Sequence, residues 1–167
     1  MAQITTRVGT GYDVHAFAAA EAHRPLIIGG VTIPYDRGLA GHSDADVLLH
    51  AIVDALLGAA ALGDIGTHFP SSDPHWQNAP STDFLNHTLN LLRQHGWDIG
   101  NLDTTIVAER PRLSPHIQAM REHLAHVTGL ALEYISVKSK TTDGLGFAGR
   151  QEGIACYAIV LLVRQIS

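Results

Sequence analysis

The residues best suited to hold a metal ion lie near the start of the chain. Asp13 and His15 are two positions apart in an extended segment, so both side chains leave the same face of the backbone. A carboxylate and an imidazole that converge in this way are typical ligands of zinc. The alternative is a polar strand end with a surface histidine. Gly9 and Gly11 precede the pair and favour the metal site, because glycine lets the backbone bend sharply there.

A third candidate ligand, His50, lies in an apolar helical segment. Asp46, His50 and Asp54 recur at four-residue spacing and so share one helix face. A histidine in such surroundings is either a core residue or a metal ligand whose second nitrogen is held by a carboxylate, here Asp46 or Asp54. His42 is eight residues from His50, about 12 Å of helix rise. We therefore expect one of the two histidines to bind the metal and the other to bind substrate.

Two later segments combine small residues with hydrogen-bonding groups. Residues 64–74 fit either a substrate loop or a turn-rich connection. Residues 138–150 contain the pattern GxGxxG, but we do not interpret it as a dinucleotide fingerprint, because a terminal strand follows where a helix is required. Hydroxyls, backbone amides, Lys140 and Arg150 could instead cradle a phosphate. Asp143 could hold a hard cation such as magnesium there.

The elements that must position these residues alternate between strands and helices. We predict strands at 5–10, 26–28, 31–33, 101–108, 135–141 and 153–163, with a glycine turn inside the 26–33 hairpin. We predict helices at 43–61 with Ser43 as N-cap, from Ser81 or Thr82 to Gly96, and at 114–129. Residues 63–80 form a long loop of the kind that carries function. The pattern predicts one α/β (α+β) domain over residues 1–167, a mixed β-sheet covered by about three helices.

Composition narrows the classes of function. The net charge of −5 argues against a nucleic-acid partner, although a metal ion can still supply positive charge to a phosphate site. A single cysteine, Cys156, allows no intrachain disulfide and is predicted to be an inert buried thiol. The first residues lack the pattern of a signal peptide, and the longest apolar run, 155–163, is too short to span a bilayer. We expect a cytoplasmic protein without a membrane partner.

Four strings in the same order carry a resemblance to a known family. Residues 11–15, 41–46, 59–66 and 146–153 resemble the 2-C-methyl-D-erythritol 2,4-cyclodiphosphate synthase family of the non-mevalonate isoprenoid pathway. The similarity runs from Gly9 almost to the C-terminus. Several separate strings in the right order are more specific than any one of them.

The resemblance implies a zinc site and two groups of ligand-binding residues. Zinc would be bound by Asp13, His15 and His50, with a fourth position for a substrate phosphate oxygen. The substrate-binding residues would be Asp13, Val14, His15, His42, Ser43, Asp64, Ile65, Gly66, Phe69, Pro70, Ser71, Ser72 and Asp73. The nucleotide-binding residues would be Ala108, Glu109, Arg110, Pro111, Arg112, Leu113, Lys140, Thr141, Thr142, Asp143, Phe147 and Arg150.

The resemblance also implies a second cation and an assembly. Magnesium or manganese would bridge the α- and β-phosphates through Asp143, which stands where the family often has Glu. Active sites would lie at the subunit interfaces of a homotrimer, with Phe147, Arg150 and Glu152 facing its axis. The pair Ser71–Ser72 replaces a common Asp–Thr pair.

The implied activity is that of a lyase acting on a cytidine diphosphate compound. In 4-diphosphocytidyl-2-C-methyl-D-erythritol 2-phosphate, the 2-phosphate would attack the β-phosphorus, close a cyclic diphosphate and expel CMP. His42 and Thr141 would assist at the transition state. Two alternatives stay open: a two-metal phosphohydrolase with Asp46 or Asp64 as general base, and a non-catalytic zinc- and nucleotide-binding module.

Overall fold

A computed structural model describes residues 3–166 of the chain, so that residues 1, 2 and 167 of the expected domain lie outside the described part. The strands are β1 (Gln3–Ala16), β2 (Leu26–Ile28), β3 (Val31–Ile33), β4 (Asp98–Val107), β5 (Ile135–Lys140) and β6 (Gly153–Ile166). Four of them form a sheet in the order β1-β6-β4-β5, in which only β4 and β5 are parallel. Strands β2 and β3 form the predicted hairpin, whose two glycines both have positive φ.

Three long helices cover one face of the sheet. The helices are α1 (Val47–Ala60), α2 (Ile65–His68), α3 (Ser81–Gln94), α4 (Ile117–Thr128) and α5 (Gly146–Gly149). Helix α1 packs against β1 and β6 on one side and α3 on the other, and α4 packs against β5. Every residue of α1 except Asp54 and Gly58 is buried. The predicted α+β fold with a mixed sheet is therefore confirmed.

The contact between β1 and α1 explains two glycines differently from our expectation. Gly9 and Gly11 do not bend the chain, because both lie in continuous pairing with β6. A Cβ atom at Gly9 would lie 2.0 Å from the carbonyl oxygen of Ala55, and one at Gly11 would lie 1.9 Å from that of Ala51. The glycines thus let the helix backbone approach the strand directly, which brings the end of β1 beside the first turns of α1.

The predicted cap of α1 was wrong. The helix begins at Val47, and its N-cap is Asp46, whose carboxylate accepts hydrogen bonds from the backbone N–H groups of Leu48 and Leu49. The same carboxylate accepts from Gly29 and Gly30 in the hairpin turn, at 2.8 and 2.7 Å. Asp46 therefore joins the hairpin to the helix, a long-range role that local sequence does not reveal.

The predicted cap of α3 was also wrong. Ser81 is the first residue of the helix, and the preceding Pro80 makes no side-chain cap. The hydroxyl of Ser81 is instead directed into the interior, where it contacts His50 and Asp44. The helix ends at Gln94, and Gly96 follows its C-cap with a positive φ, close to the predicted end.

Two smaller expectations hold. Helix α5 is only one turn long, and three residues separate it from β6, so the GxGxxG pattern does not open a dinucleotide-binding helix. Cys156 is a free, fully buried cysteine, and burial raises the pKa of its thiol. Within residues 3–166, no helix is both long and apolar enough to cross a membrane.

The second face of the sheet carries a group of large, exposed apolar side chains. They come from β1 and β6 and are Ile4, Val8, Tyr12, Val14, Tyr157 and Ile159. Tyr12 and Tyr157 pack together across the two strands, with ring centroids 4.8 Å apart. Both rings nevertheless stay about half exposed, at 45% and 54%. An apolar surface of this extent is typical of a protein–protein interface.

Candidate active site

Three side chains form a compact cluster at the junction of β1 and α1. Oδ2 of Asp13 lies 2.9 Å from Nε2 of His15 and 3.0 Å from Nδ1 of His50, and the two ring nitrogens are 3.1 Å apart. Ligands of a tetrahedral zinc ion are about 3.3 Å apart, because zinc–ligand bonds are about 2.0–2.1 Å long. The triangle needs to open by only a few tenths of an ångström. The donor set therefore fits zinc and leaves a fourth position free.

The hydrogen bonds behind the cluster orient both imidazoles. Nδ1 of His15 lies 2.7 Å from the carbonyl oxygen of Ala40, which can only accept, so Nδ1 carries a proton and Nε2 is the ring nitrogen that faces the cluster. Nε2 of His50 lies 2.8 Å from Oγ of Ser81 and 3.2 Å from Oγ of Ser43. The far nitrogen of each ring is thus held by a hydrogen bond, as in known metal sites.

The partners of His50 differ from those we expected. Neither Asp46 nor Asp54 holds its second nitrogen, because Asp46 is the N-cap of α1 and Asp54 accepts a 2.7 Å hydrogen bond from the backbone N–H of Ile65. The serines take that place instead. His50 is only 7% exposed, so these contacts are shielded from water.

Charge and burial oppose each other in the cluster. Burial would raise the pKa of Asp13, but hydrogen bonds and charge from His15 and His50 hold that pKa well below its usual range. Burial would likewise lower the pKa of His15, but the adjacent Asp13 raises it. With its lowered pKa, Asp13 is an anion at neutral pH, as a metal ligand must be.

Outside the cluster, burial raises the pKa of Asp46 to about 6, although the hydrogen bonds from the hairpin turn act to lower it.

The cluster opens into a cavity of about 270 Å³. Its walls are formed by Asp13, His15, His42, Ser43, His50, Ile65, Gly66, Phe69, Ser71, Trp76 and Phe84. His42 stands apart from the three-residue cluster, and its Nε2 lies 3.4 Å from the carbonyl oxygen of Asp73. One histidine thus lies in the cluster and the other beside it, and their division between metal and substrate stays a prediction.

Several predicted substrate residues do not line this cavity. Val14 points to the opposite face of the sheet from its neighbours Asp13 and His15. Asp64 caps α2 and accepts from both the backbone and the hydroxyl of Thr67. Pro70, Ser72 and Asp73 are likewise not among the lining residues.

Two aromatic residues of the cavity were missed by the sequence analysis. Phe84 stacks on Phe69 with centroids 4.6 Å apart, and on His50 at 5.8 Å. Trp76 meets the ring of Phe69 edge-on at 5.0 Å. The apolar period of α3 predicts that Phe84 is buried but not that it contacts His50. Trp76 lies in a polar loop, where no sequence pattern marks it as part of a site. These rings form an apolar wall beside the metal ligands.

A second cavity, of about 370 Å³, lies at the carboxyl ends of the parallel strands β4 and β5. Ligands of open α/β sheets bind at such strand ends. The cavity is lined by residues 108–114 and by Ser139, Lys140 and Thr141. It thus contains the whole predicted segment 108–113, together with Ser114 and Ser139, which we had not predicted.

Four predicted nucleotide-binding residues lie outside that cavity. They are Thr142, Asp143, Phe147 and Arg150. Asp143 has a positive φ of 52°, and its carboxylate accepts a 3.3 Å hydrogen bond from the hydroxyl of Thr141. Arg150 pairs with Glu152 at 2.8 Å on the surface. This cavity and the cavity beside the metal cluster share no lining residue.

Solved structures resemble this fold over nearly its whole length. The bifunctional IspDF from Campylobacter jejuni matches with a TM-score of 0.92 and 41% identity, covering 97% of this chain and 43% of that one. The CDP complex of IspF from Plasmodium falciparum matches with a TM-score of 0.83 and 34% identity, covering 96% of this chain and 97% of that one.

Sequence relatives and a family model agree with the structures. A relative from Trichlorobacter lovleyi is 55% identical over 95% of this chain and 99% of its own, and one from Syntrophobacter fumaroxidans is 57% identical over 93% and 96%. Both are named 2-C-methyl-D-erythritol 2,4-cyclodiphosphate synthase. The model of the YgbB family matches residues 6–163. The chain therefore belongs to the YgbB family, that of the 2-C-methyl-D-erythritol 2,4-cyclodiphosphate synthases.

Proposed function

We propose that this chain converts 4-diphosphocytidyl-2-C-methyl-D-erythritol 2-phosphate to 2-C-methyl-D-erythritol 2,4-cyclodiphosphate and CMP, as a lyase of isoprenoid biosynthesis. The observation that carries the proposal is the cluster of Asp13, His15 and His50, with an open position facing a cavity. Full-length relatives that bear the name of this synthase support the substrate.

Zinc is the metal that we assign to the cluster. Asp13, His15 and His50 would hold it, and it would supply positive charge to a phosphate oxygen of the substrate. His42, beside the ligands, is free to donate a hydrogen bond to the same phosphate. The side chains then have two separate tasks, coordination and hydrogen bonding, in one cavity.

The substrate brings its own nucleophile. A bond forms between an oxygen of the 2-phosphate and the β-phosphorus, while the bond from the β-phosphorus to the bridging oxygen breaks and its electron pair leaves on CMP. The chain therefore has to align the two phosphates and neutralise their charge. The wall of Phe69, Trp76 and Phe84 keeps water away from this reaction, which favours internal attack over hydrolysis.

The alternative of a two-metal phosphohydrolase is less well supported. That reaction requires a general base beside an attacking water. Asp46 is fully buried and accepts four backbone N–H groups. Asp64 is turned toward Thr67 as the cap of α2. Neither carboxylate lines the metal cavity.

We assign the cytidine and its phosphates to the cavity at the ends of β4 and β5. Arg110, Arg112 and Lys140 give it positive charge, and Thr141 supplies a hydroxyl to the transition state. A solved relative from Plasmodium falciparum is described as a CDP complex. Magnesium or manganese held by Asp143 would lie at the edge of this cavity, because Thr141 lines the cavity and its hydroxyl donates to Asp143.

We further propose a homotrimer in which each active site is shared between neighbours. The apolar face of β1 and β6 offers a surface for association, and each chain carries a metal cavity and a separate nucleotide cavity. A cyclic assembly joins different surfaces of successive subunits. Phe147, Arg150 and Glu152 would face the axis. A cytoplasmic location is part of the proposal and agrees with the free thiol of Cys156.

Product analysis tests the reaction. The purified protein is incubated with the substrate, zinc and magnesium, and the products are identified by phosphorus NMR and mass spectrometry. We expect a cyclic diphosphate and CMP in equal amounts. Linear hydrolysis products would favour the phosphohydrolase, and unchanged substrate would favour a binding module.

Mixed refolding tests the shared site. His50→Ala disables the metal cavity and Thr141→Ala the nucleotide cavity, so each homotrimer should be nearly inactive. Refolded together in equal amounts, they should recover roughly one quarter of the parent activity per chain, because half of the metal cavities and half of the nucleotide cavities are intact and pair at random. Confirmed mixed trimers without any recovery would refute the shared site.

A further inference from the structure

His50 is connected through Ser81 to a carboxylate on the side away from the metal cluster. Nε2 of His50 lies 2.8 Å from Oγ of Ser81. The Ser81 hydroxyl donates to Oδ1 of Asp44, and the backbone N–H of Ser81 donates to Oδ2 of Asp44 at 3.0 Å. Asp44 therefore accepts two hydrogen bonds from the first residue of α3. The contacts run from the carboxylate of Asp44 through the hydroxyl of Ser81 to the ring of His50.

The direction of these hydrogen bonds follows from the charge at one end. An ionised carboxylate can only accept, so the single hydrogen of the Ser81 hydroxyl is directed toward Asp44. The oxygen of Ser81 then presents lone pairs to His50, and Nε2 must carry the proton that joins them. With Nε2 held in this way, Nδ1 is the ring nitrogen that faces Asp13 and His15 and is available to a metal ion.

We propose that Asp44 and Ser81 are positioning residues that hold the His50 ring with Nδ1 directed toward the metal position. The proposal rests on the metal site of the proposed function, and neither residue touches metal or substrate. The ring of His15 is held by the carbonyl oxygen of Ala40, which no side-chain substitution can remove. The ring of His50 is held by side chains, so its orientation can be changed by mutation.

Burial explains why water does not take over this role. Ser81 is fully buried and His50 is 7% exposed, so neither bond competes with solvent. Asp44 is fixed further by accepting from the backbone N–H of Asp46 at 3.2 Å and by donating its own N–H to the carbonyl oxygen of Ala79.

A second hydroxyl beside the ring has a weaker influence. Oγ of Ser43 lies 3.2 Å from Nε2 of His50, farther than Oγ of Ser81, and it already accepts from the backbone N–H of Ala45. No carboxylate fixes the direction of its hydrogen. Ser81 is therefore the main hydrogen-bond partner of Nε2.

Zinc affinity measures the consequence of the arrangement. Ser81→Ala removes the acceptor of the Nε2 proton, and Asp44→Asn replaces a pure acceptor by a group that also donates. Since changes in the groups that hold a metal-binding histidine typically cost about 10–100-fold in affinity, we expect both variants to bind zinc that much more weakly, measured by competition with a chromophoric chelator. Thr104→Val is the matched control, because it removes a buried hydroxyl that donates to the carbonyl oxygen of Ser136.

Nitrogen NMR of the zinc-loaded protein separates positioning from a general loss of structure. His50 signals are assigned by their absence in His50→Ala, the nitrogen shifts report which ring atom binds zinc, and the N–H signal of the other reports how fast its proton exchanges with water. We expect zinc on Nδ1 and a slowly exchanging proton on Nε2 in the parent, and faster exchange of that proton in Ser81→Ala and Asp44→Asn. Unchanged exchange in both variants, or equal zinc loss in Thr104→Val, would overturn the proposal. If the parent bound no zinc, the metal site would fail, whereas exchange of the Nε2 proton would still test the contact between Ser81 and His50.

Discussion

The metal cavity and the proposed nucleotide cavity are built in different ways. The metal cavity is part of the core: its ligands come from β1 and α1, and buried side chains such as Ser43, His50 and Phe84 form its walls. The nucleotide cavity is a rim of chain beyond β4 and β5, where Arg110, Arg112, Lys140 and Thr141 are exposed. In the first cavity, side chains that support function also support the fold. In the second, the proposed function rests on exposed groups that lie outside the core.

The largest effect is expected from the histidines of the metal cavity. His50→Ala should lose zinc and lower kcat by about 10³-fold or more, since a bound metal supplies several kcal/mol of transition-state stabilisation. His42→Ala should lose activity but keep about one zinc per chain, because His42 stands outside the ligand cluster. Zinc content by elemental analysis and steady-state rates check both. Equal zinc loss in the two variants would remove the distinction between ligand and substrate residue.

A stability effect should follow from the aromatic wall. Phe84 is 4% exposed and lies between Phe69 and His50. Phe84→Ala should lower the free energy of unfolding by about 3–5 kcal/mol, as for other buried phenylalanines, and weaken zinc binding as well. Urea denaturation and chelator competition measure the two quantities. A loss below 1 kcal/mol would mean that this wall is not part of the core.

The nucleotide cavity should behave in the opposite way. Lys140→Ala should raise KM for the substrate by about 10–100-fold, the cost of one hydrogen bond to a charged group, while stability changes by no more than about 0.5 kcal/mol. Lys138→Ala is a suitable control, because Lys138 lies on the same strand but pairs with Asp103 outside the cavity. An equal rise in KM for both variants would show a general charge effect rather than a site.

Sequence predicted the residue types of both cavities better than their contacts. The two-residue spacing of Asp13 and His15 was enough to place both on one face, because strand geometry fixes the alternation. The serines at the two helix starts were misassigned as caps, because a serine there can bond either to local backbone or to a distant side chain. Spacing alone could not show that Asp46 does not contact His50. Two of its actual partners, Gly29 and Gly30, lie in a hairpin 17 and 16 residues earlier in the sequence.

The rim of the nucleotide cavity was predictable for another reason. Residues 108–113 follow a strand directly, so the position of the strand fixes the position of the segment. Asp143 and Arg150 lie beyond that strand edge, outside the cavity of a single chain. Their proposed roles depend on a bound cation or on neighbouring subunits, which the sequence of one chain does not contain.

The smallest expected effect concerns Asp143 at the edge of that rim. Asp143 is exposed and adopts a left-handed conformation with φ 52°, which asparagine tolerates as readily as aspartate, so Asp143→Asn keeps the backbone and removes only the charge. If the carboxylate holds the second cation, the magnesium concentration for half-maximal rate should rise by up to about tenfold, since one charge-assisted contact is lost while substrate phosphates still bind the metal.

Zinc content and stability of this variant should stay at the parent values, because the metal cavity shares no residue with the rim. Asp36→Asn is the matched control, since it removes an equal charge from an exposed position outside both cavities. A rise in the magnesium requirement that is confined to Asp143→Asn assigns the second cation to the rim. The same requirement in parent and variant would exclude Asp143 as its ligand.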